Sequence, residues 1–316
     1  MKYSLVGCTG FVGGNLAHNH AFNNLYNSKN IGEAFGADNG FVVYAGMPAE
    51  KFLAAADPAA DLRRAEQAFE NITRMKPEKL VLISTVDVYP KPYKVYEDAA
   101  PSAEADESPA LAYGKNRLAL EGWVREAYPD ALILRLPGLF GRGLKKNFIY
   151  DMLTLTPAML VAEKYAELAE KEPLVRDSYR QDAQGFYRLQ PLPAEKAATL
   201  RGFFEQNDFN SLSFTDSRSV FQFYDLANLW ADIGRCQKHH LTLVNLATQP
   251  TEAGALYHFL FGAEFENHTA KGPVRYDMRT RHGRELGGLD DYIADRAEVV
   301  AGIAKLAGAW QEGGRP

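Results

Sequence analysis

A glycine-rich segment near the start of the chain restricts the possible fold more than any other feature. The apolar stretch at residues 2–6 runs directly into Gly7-Cys8-Thr9-Gly10-Phe11-Val12-Gly13, which has the spacing GxxGxxG. Glycines with this spacing allow a tight turn from a strand into a helix and let a phosphate approach the backbone closely. The free N–H groups at the helix start also favour phosphate. The segment therefore predicts a pyrophosphate-binding turn after a first strand.

Strand and helix patterns alternate along the chain after this turn. Buried strands are predicted at residues 41–44, 79–84 and 131–136, and helices at residues 11–25, 61–75 and 113–128. Alternation of this kind is typical of a parallel sheet with helices on both faces. We therefore expect an α/β fold, with a Rossmann-type doubly wound parallel sheet, for residues 1–141.

The pattern changes beyond Gly141. Residues 161–171 have a charged helical pattern, a polar segment with several aromatic residues follows, and residues 241–244 form the next clear strand pattern. We expect residues 142–316 to form a smaller α/β substrate-binding lobe, with some segments returning to the first sheet.

Composition narrows the classes of partner. The net charge is −5, and the 35 Lys and Arg residues are scattered, which argues against nucleic acid as a partner. No apolar run has the length of a membrane span, and no secretory leader precedes the glycine segment. Two distant cysteines and seven histidines without spaced acidic partners predict neither a disulfide framework nor a metal site. These features indicate a cytoplasmic protein that binds a small molecule.

The type of dinucleotide depends on the residues after the second strand of such a fold. NAD sites carry a carboxylate there, which accepts a hydrogen bond from the ribose 2′-hydroxyl. The corresponding segment, Leu25 to Asn30, contains no acid but has Asn27, Ser28 and Lys29. A 2′-phosphate suits these residues better than a hydroxyl does, so NADP is favoured over NAD, although Lys29 could equally be an ordinary solvated lysine.

Three further motifs follow in order. They are Ser84-Thr85-Val86-Asp87-Val88-Tyr89, Tyr113-Gly114-Lys115-Asn116-Arg117, and Arg135-Leu136-Pro137-Gly138-Leu139-Phe140-Gly141. Together with the glycine segment, their order and spacing resemble the extended short-chain dehydrogenase/reductases, the family of nucleotide-sugar epimerases and dehydratases. The resemblance implies hydride transfer between a nicotinamide and a carbinol carbon, with Ala45, Gly46 and Pro137 also beside the cofactor.

The resemblance also implies roles for individual residues. Tyr113 matches the tyrosine that gives or takes the substrate proton, and Thr85 matches the hydroxyl that orients the substrate oxygen. A phenol has a pKa near 10, so it needs a nearby cation to act as a base at neutral pH. The family has a lysine at the position of Arg117, one helical turn after Tyr113. Arg117 keeps the positive charge but has a bulkier, planar donor group.

Substrate contacts are less closely defined by the resemblance. Dehydratases of the family carry an Asp-Glu pair after the threonine, whereas this chain has Val86-Asp87. Dehydration is therefore disfavoured, and Asp87 is either a substrate contact or a loop carboxylate that caps neighbouring backbone. Asn147 and Arg218 match an asparagine and a diphosphate-binding arginine of the epimerases.

Two interpretations follow from these motifs. In the first, the chain is an NAD(P)-dependent oxidoreductase or epimerase, with Thr85, Tyr113 and Arg117 as catalytic residues and a sugar-like, nucleotide-activated substrate. In the second, the change to Arg117 marks a sensor or scaffold protein that binds the dinucleotide without catalysis. The resemblance further implies a homodimer formed through helices near residues 65–75 and 111–128.

Overall fold

The computed structural model describes residues 1–99 and 111–313. In chain order the strands are β1 (Tyr3–Val6), β2 (Asn24–Tyr26), β3 (Phe41–Tyr44), β4 (Lys79–Thr85), β5 (Tyr93–Val95), β6 (Leu132–Leu136), β7 (Gly138–Phe140), β8 (Met159–Leu160), β9 (Tyr179–Gln181), β10 (Tyr187–Leu189), β11 (Val220–Phe221), β12 (Phe223–Asp225), β13 (Leu243–Asn245), β14 (Thr251–Glu252) and β15 (Asp277–Met278). The α-helices are α1 (Phe11–Asn19), α2 (Lys51–Ala56), α3 (Pro58–Met75), α4 (Ala112–Ala127), α5 (Phe148–Thr154), α6 (Ala162–Lys171), α7 (Pro173–Ser178), α8 (Ala194–Glu205), α9 (Leu229–Lys238), α10 (Ala253–Phe261) and α11 (Arg296–Gly313).

A six-stranded parallel sheet has the strand order β13-β6-β4-β3-β1-β2. Every neighbouring pair in it is parallel. Successive residues of one strand point to opposite faces, so Val81 packs against α1 and α9 while Leu80 and Leu82 pack against α3 and α4. Helices thus cover both faces, which confirms the predicted α/β fold with a Rossmann-type doubly wound sheet.

The predicted helix at residues 11–25 is wrong at its end. The helix α1 stops at Asn19, and Asn24–Tyr26 form β2, which pairs in register with β1. The Asn23 carboxamide oxygen accepts the Tyr3 N–H at 2.8 Å, which fixes the start of β2 beside β1. The other predicted elements agree with the structure to within a few residues.

The sheet ends at β2. The usual doubly wound order continues past this position with another strand. Here residues 27–40, all of which are described, contain one 3₁₀ turn, Ile31–Ala34, before the chain returns to the other side of β1 as β3. The segment that follows β2 is therefore short.

The chain divides into two compact units. The first contains residues 1–142, 221–251 and 275–302, and the second contains residues 143–220, 252–274 and 303–316. The second unit includes a three-stranded antiparallel sheet in the order β8-β10-β9, together with helices α5 to α8. The functional division into a dinucleotide domain and a substrate lobe stays a prediction.

Candidate active site and dinucleotide site

The glycine segment forms a close-packed turn between β1 and α1. Gly7 has a φ of +87°, and a Cβ on it would lie 2.4 Å from the Ala45 carbonyl oxygen. A Cβ on Gly13 would lie 2.1 Å from the Gly7 carbonyl oxygen. Side chains at these two positions are therefore excluded, and the backbone stays accessible.

The start of α1 has free backbone donors. Gly10 is the N-cap residue and offers no capping side chain, and the first helical hydrogen bond runs from the Gly14 N–H to the Gly10 carbonyl at 2.7 Å. The N–H groups of Phe11, Val12 and Gly13 precede this bond and are available to an anion. The turn thus has the donors and the space that a pyrophosphate needs, with Thr9 exposed beside it.

The end of β2 lies against this turn. The Tyr26 carbonyl accepts the N–H groups of Gly7 at 2.8 Å and Cys8 at 3.2 Å. The Asn27 side chain accepts the Lys29 N–H at 2.9 Å and so helps to shape the turn. Ser28 and Lys29 are exposed, and the Lys29 ammonium has no ion-pair partner in the described part of the chain.

Several predicted site residues share one edge of the sheet. Ala45 and Gly46 follow β3, Thr85 ends β4, and Pro137 follows β6. These strands are parallel neighbours, so their carboxyl ends meet at the edge that also carries the glycine turn. Ligands of doubly wound folds bind at this edge.

Tyr113 lies in the first turn of α4, at the same edge. The next residue, Gly114, packs on the loop after β4, because a Cβ there would lie 1.8 Å from the Asp87 carbonyl oxygen. The Tyr113 side chain is buried, yet no described residue forms a hydrogen bond with its hydroxyl. The hydroxyl oxygen is not one of the fully buried polar atoms, so it is open to a ligand.

Burial raises the pKa of Tyr113 above its usual value of 10.0. The positive charges of Arg117 and Lys51 act to lower this pKa, whereas the negative charges of Asp87 and Asp61 act to raise it. Burial is the largest of these influences and decides the direction. The phenol is therefore in its neutral form at physiological pH.

Thr85 and Asp87 are bonded to each other. The Thr85 hydroxyl donates to Asp87 Oδ2 at 3.0 Å and accepts the Asp87 N–H at 3.2 Å. The other Asp87 oxygen, Oδ1, accepts from Lys51 Nζ at 2.6 Å. A chain of contacts thus runs from the exposed Lys51 through Asp87 to Thr85.

Arg117 is held in a buried ion pair. Its Nη1 lies 3.1 Å from Asp61 Oδ2, its Nη2 lies 3.3 Å from Asp61 Oδ1, and both side chains are 3% exposed. Nη2 also donates to the Pro48 carbonyl at 2.6 Å. The guanidinium carbon lies 4.5 Å from the centre of the Tyr113 ring. Arg117 therefore contacts the face of the ring, with its charge balanced by Asp61.

A second buried pair fixes α4 to the sheet behind the site. Arg135 of β6 donates to Glu121 of α4 at 2.6 Å, and the two side chains are 2% and 1% exposed. Glu121 also accepts from Ser84 Oγ, and Arg135 donates to the Tyr89 hydroxyl at 2.6 Å. This network explains why the predicted motifs contain Ser84, Tyr89 and Arg135, since all three hold the helix that carries Tyr113.

The predicted substrate contacts Asn147 and Arg218 belong to the second unit. Asn147 caps α5, and its side chain accepts the Tyr150 N–H at 3.2 Å. The Arg218 Nε and Nη2 atoms donate to Asp216 at 2.9 and 2.8 Å, while half of the Arg218 side chain stays exposed. Three of its five N–H donors are thus left for a ligand.

Sequence reasoning missed Lys51 and Asp61. Lys51 is 36 positions from Asp87, and Asp61 is 56 positions from Arg117, so no local motif connects them. The sequence contained one signal for Asp61: Arg117 lies in a helix that packs on a sheet, and a buried cation there needs an acidic partner.

The family of the chain follows from its first half. Residues 4–161, which are half of the chain, match the family model described as RmlD substrate binding domain. The chain belongs to this family. Membership in the RmlD substrate-binding family confirms the resemblance to extended short-chain dehydrogenase/reductases that the motifs predicted. A sequence search of curated proteins found no match.

Solved structures resemble this RmlD-family chain over nearly its whole length. The dTDP-4-dehydrorhamnose reductase of Bacillus anthracis, in complex with NADP, has 14% identity and a TM-score of 0.59, over 96% of this chain and 97% of that one. The UDP-glucose 4-epimerase of Thermotoga maritima, with UDP-glucose, has 12% identity and a TM-score of 0.61, over 99% of both chains. The Bordetella bronchiseptica enzyme WbmG, in complex with NAD, has 14% identity and a TM-score of 0.62, over 99% and 95%. At these identities the likeness shows the fold.

The described residues contain neither a helix suited to spanning a bilayer nor a cluster of metal-ligating side chains. No helix there is both long and apolar enough to span a bilayer. No group of three His, Cys, Asp or Glu side chains is arranged to hold a metal ion within residues 1–99 and 111–313.

Proposed function

We propose that the chain is an NAD(P)-dependent oxidoreductase or epimerase that acts at a carbinol or ketone carbon of a sugar-like substrate carried on a nucleotide. One observation carries this proposal: the Tyr113 hydroxyl has no hydrogen-bond partner among the described residues and keeps some accessible surface, next to the loop of Thr85 and Asp87. The nicotinamide, when bound, supplies or accepts the hydride. Solved structures of the same fold contain NADP, NAD or UDP-glucose, which supports this chemistry.

The glycine turn is the proposed pyrophosphate site, because Gly7 and Gly13 leave the backbone open and the start of α1 provides donors. Ser28 and Lys29 are the proposed contacts for a 2′-phosphate, so we favour NADP. The fit is supported by the exposed, unpaired ammonium of Lys29 among the described residues.

Tyr113 is the proposed acid and base, and Thr85 the residue that orients the substrate oxygen. The Thr85 hydroxyl hydrogen points to Asp87, so its oxygen can accept a hydrogen bond from a substrate hydroxyl. For a ketone substrate, the Thr85 hydroxyl has to exchange Asp87 for the substrate oxygen. Arg117 is proposed to contribute charge through the face of the Tyr113 ring.

The substrate lobe, residues 142–316, is proposed to hold the nucleotide part of the substrate. Arg218 has an exposed half and free donors suited to a diphosphate, and Asn147 is the second proposed contact. A homodimer and a cytoplasmic location complete the proposal.

The test is turnover by the Tyr113→Phe variant. Purified protein is mixed with NADPH or NAD and a panel of nucleotide sugars and their 4-keto derivatives, and both nicotinamide absorbance and sugar products are followed. We expect the variant to lose roughly 10²- to 10⁴-fold in rate, the usual contribution of a general acid or base. Tyr93→Phe is the control, because Tyr93 is exposed on β5. An unchanged rate in Tyr113→Phe would exclude the proposed chemistry.

A sensor or scaffold role is the second candidate, and one observation favours it. Arg117 is fixed by Asp61 and the Pro48 carbonyl, and the pKa of Tyr113 is raised by burial. The same assay separates the candidates, because a sensor binds the dinucleotide but converts no sugar in the panel.

A further inference from the structure

Tyr113 needs a route for its proton. If Tyr113 gives its phenolic proton to a substrate oxygen, a phenolate remains, and a new proton must come from solvent before the next turnover. Arg117 cannot supply it, because an arginine guanidinium does not deprotonate in proteins and this one is 3% exposed. Arg117 also contacts the face of the ring.

Lys51 has the two properties that Arg117 lacks, namely contact with solvent and an ammonium group that can lose a proton. Its side chain is 57% exposed, so its ammonium exchanges protons with water. Its Nζ is fixed 2.6 Å from Asp87 Oδ1, and the Asp87 carbonyl lies against Gly114, the neighbour of Tyr113. Lysine can act as a proton donor because its ammonium loses a proton far more readily than a guanidinium.

We propose that Lys51 exchanges the proton of Tyr113 with solvent and that Asp87 positions Lys51 for this step. In the direction of ketone reduction, the Tyr113 O–H bond breaks as the substrate oxygen gains the proton. One N–H bond of the Lys51 ammonium then breaks, and its proton forms the new O–H bond of Tyr113. The neutral Lys51 amine takes a proton from water at its exposed side. This inference rests on the proposed function.

The charges around the two groups agree with this assignment. Groups that act on the phenol are Arg117, Asp87, Lys51 and Asp61. Partial desolvation of the ammonium opposes the charge on Lys51, but Asp87, Tyr276 and Tyr113 outweigh it and raise the pKa of Lys51. Lys51 is therefore protonated at neutral pH and ready to donate.

The first test requires neither substrate nor cofactor. Position 113 is labelled with a trifluorotyrosine, whose phenol ionises well below the lysines, and its ¹⁹F signal is titrated with pH. We expect Lys51→Met to raise the phenol pKa by about half a unit to one unit, and Asp87→Asn to lower it by a similar amount. Lys51→Arg should leave it unchanged, because the charge is kept.

Lys79→Met is the matched control, because Lys79 is an exposed lysine at the opposite end of β4 from Thr85. An unchanged phenol pKa in Lys51→Met would overturn the proposal whether or not the protein is an enzyme. Failure of the proposed function instead appears as absent turnover in the wild-type protein.

The second test separates charge from proton transfer. If Lys51 passes a proton, Lys51→Arg loses turnover about as strongly as Lys51→Met, roughly 10²-fold, and the pH–rate profile changes in both. Turnover of Lys51→Arg equal to that of the wild type would overturn the proton-transfer step.

Discussion

Asp61 and Glu121 of the first unit and Asp151 of the second have opposite surroundings, whereas the buried Asp216 of the second unit is paired with Arg218. In the first unit, Asp61 and Glu121 are almost fully buried, and each lies in an ion pair with an arginine. In the second unit, Asp151 of α5 is largely covered, yet its carboxyl has no hydrogen-bond or ion-pair partner in the described part of the chain. It borders a cavity of about 350 Å³ with mostly apolar walls, which include Leu160, Phe209 and Phe214.

The presence or absence of an ion-pair partner decides whether a covered carboxyl group stays charged. The ion pairs of the first unit balance their own buried charges and hold α3, α4 and the sheet in place around Tyr113. A buried carboxyl without a partner instead gains a proton, because burial penalises its charged form. Burial accordingly raises the pKa of Asp151 to about 7.

Breaking the Asp61–Arg117 pair should have the largest effect on stability. Asp61→Asn keeps the shape of the side chain but leaves the Arg117 charge buried without compensation. We expect the free energy of unfolding to fall by about 3 to 5 kcal/mol. Urea unfolding followed by circular dichroism measures it.

A double variant distinguishes the loss of the pair from the loss of packing. Asp61→Leu combined with Arg117→Met removes both charges and should cost less than the sum of the two single changes, because each single change strands a charge. Additive losses would show that the two charges do not act as a pair.

Local patterns were sufficient to predict most of the first unit. The strands β3, β4 and β6 and the helices α3 and α4 have clear apolar periodicity, and the glycine turn has a steric reason for each critical position, as Gly7 and Gly13 show. The end of α1 was predicted wrongly because residues 20–26 have no strong pattern, and their structure depends on pairing with β1. Tertiary contacts there override local preference.

The site was only partly predictable for a related reason. Tyr113, Thr85 and Asp87 lie in or next to recognisable motifs, whereas Lys51 and Asp61 reach the site through contacts between distant segments. The second unit carried only the matches at Asn147 and Arg218, and the unpaired carboxyl of Asp151 is visible only when its surroundings are known.

Replacing Asp151 should give a smaller effect with a distinct pH dependence. Its folded-state pKa, about 7, lies above the ordinary value of 3.8. Between these values the folded protein holds a proton that the unfolded chain has lost, so the contribution of Asp151 to stability falls as pH rises from about 4 to about 7. Asp151→Asn removes this pH-dependent loss of stability, because the asparagine side chain does not ionise. We expect the variant to be more stable than wild type by about 2 to 3 kcal/mol at pH 8, since some solvent contact reduces the full effect.

The pH dependence of the stability difference supplies the control for this prediction. The stability difference between Asp151→Asn and wild type should shrink towards zero near pH 4, where both side chains are neutral, as urea midpoints measured across the pH range will show. A difference that stays constant with pH would mean that Asp151 is ionised in the folded protein and has a partner.

The smallest expected effect concerns an unpaired charge on the surface. Lys29 follows β2, is exposed, and has no ion-pair partner among residues 1–99 and 111–313. If it meets a 2′-phosphate, Lys29→Met should weaken NADPH binding by about fivefold, or roughly 1 kcal/mol, and leave NADH binding unchanged. Calorimetry with both dinucleotides measures this, and the effect should diminish at high salt because the contact is exposed. Lys79→Met is again the control. Equal losses for NADPH and NADH would place Lys29 away from the 2′-position and remove the reason for favouring NADP.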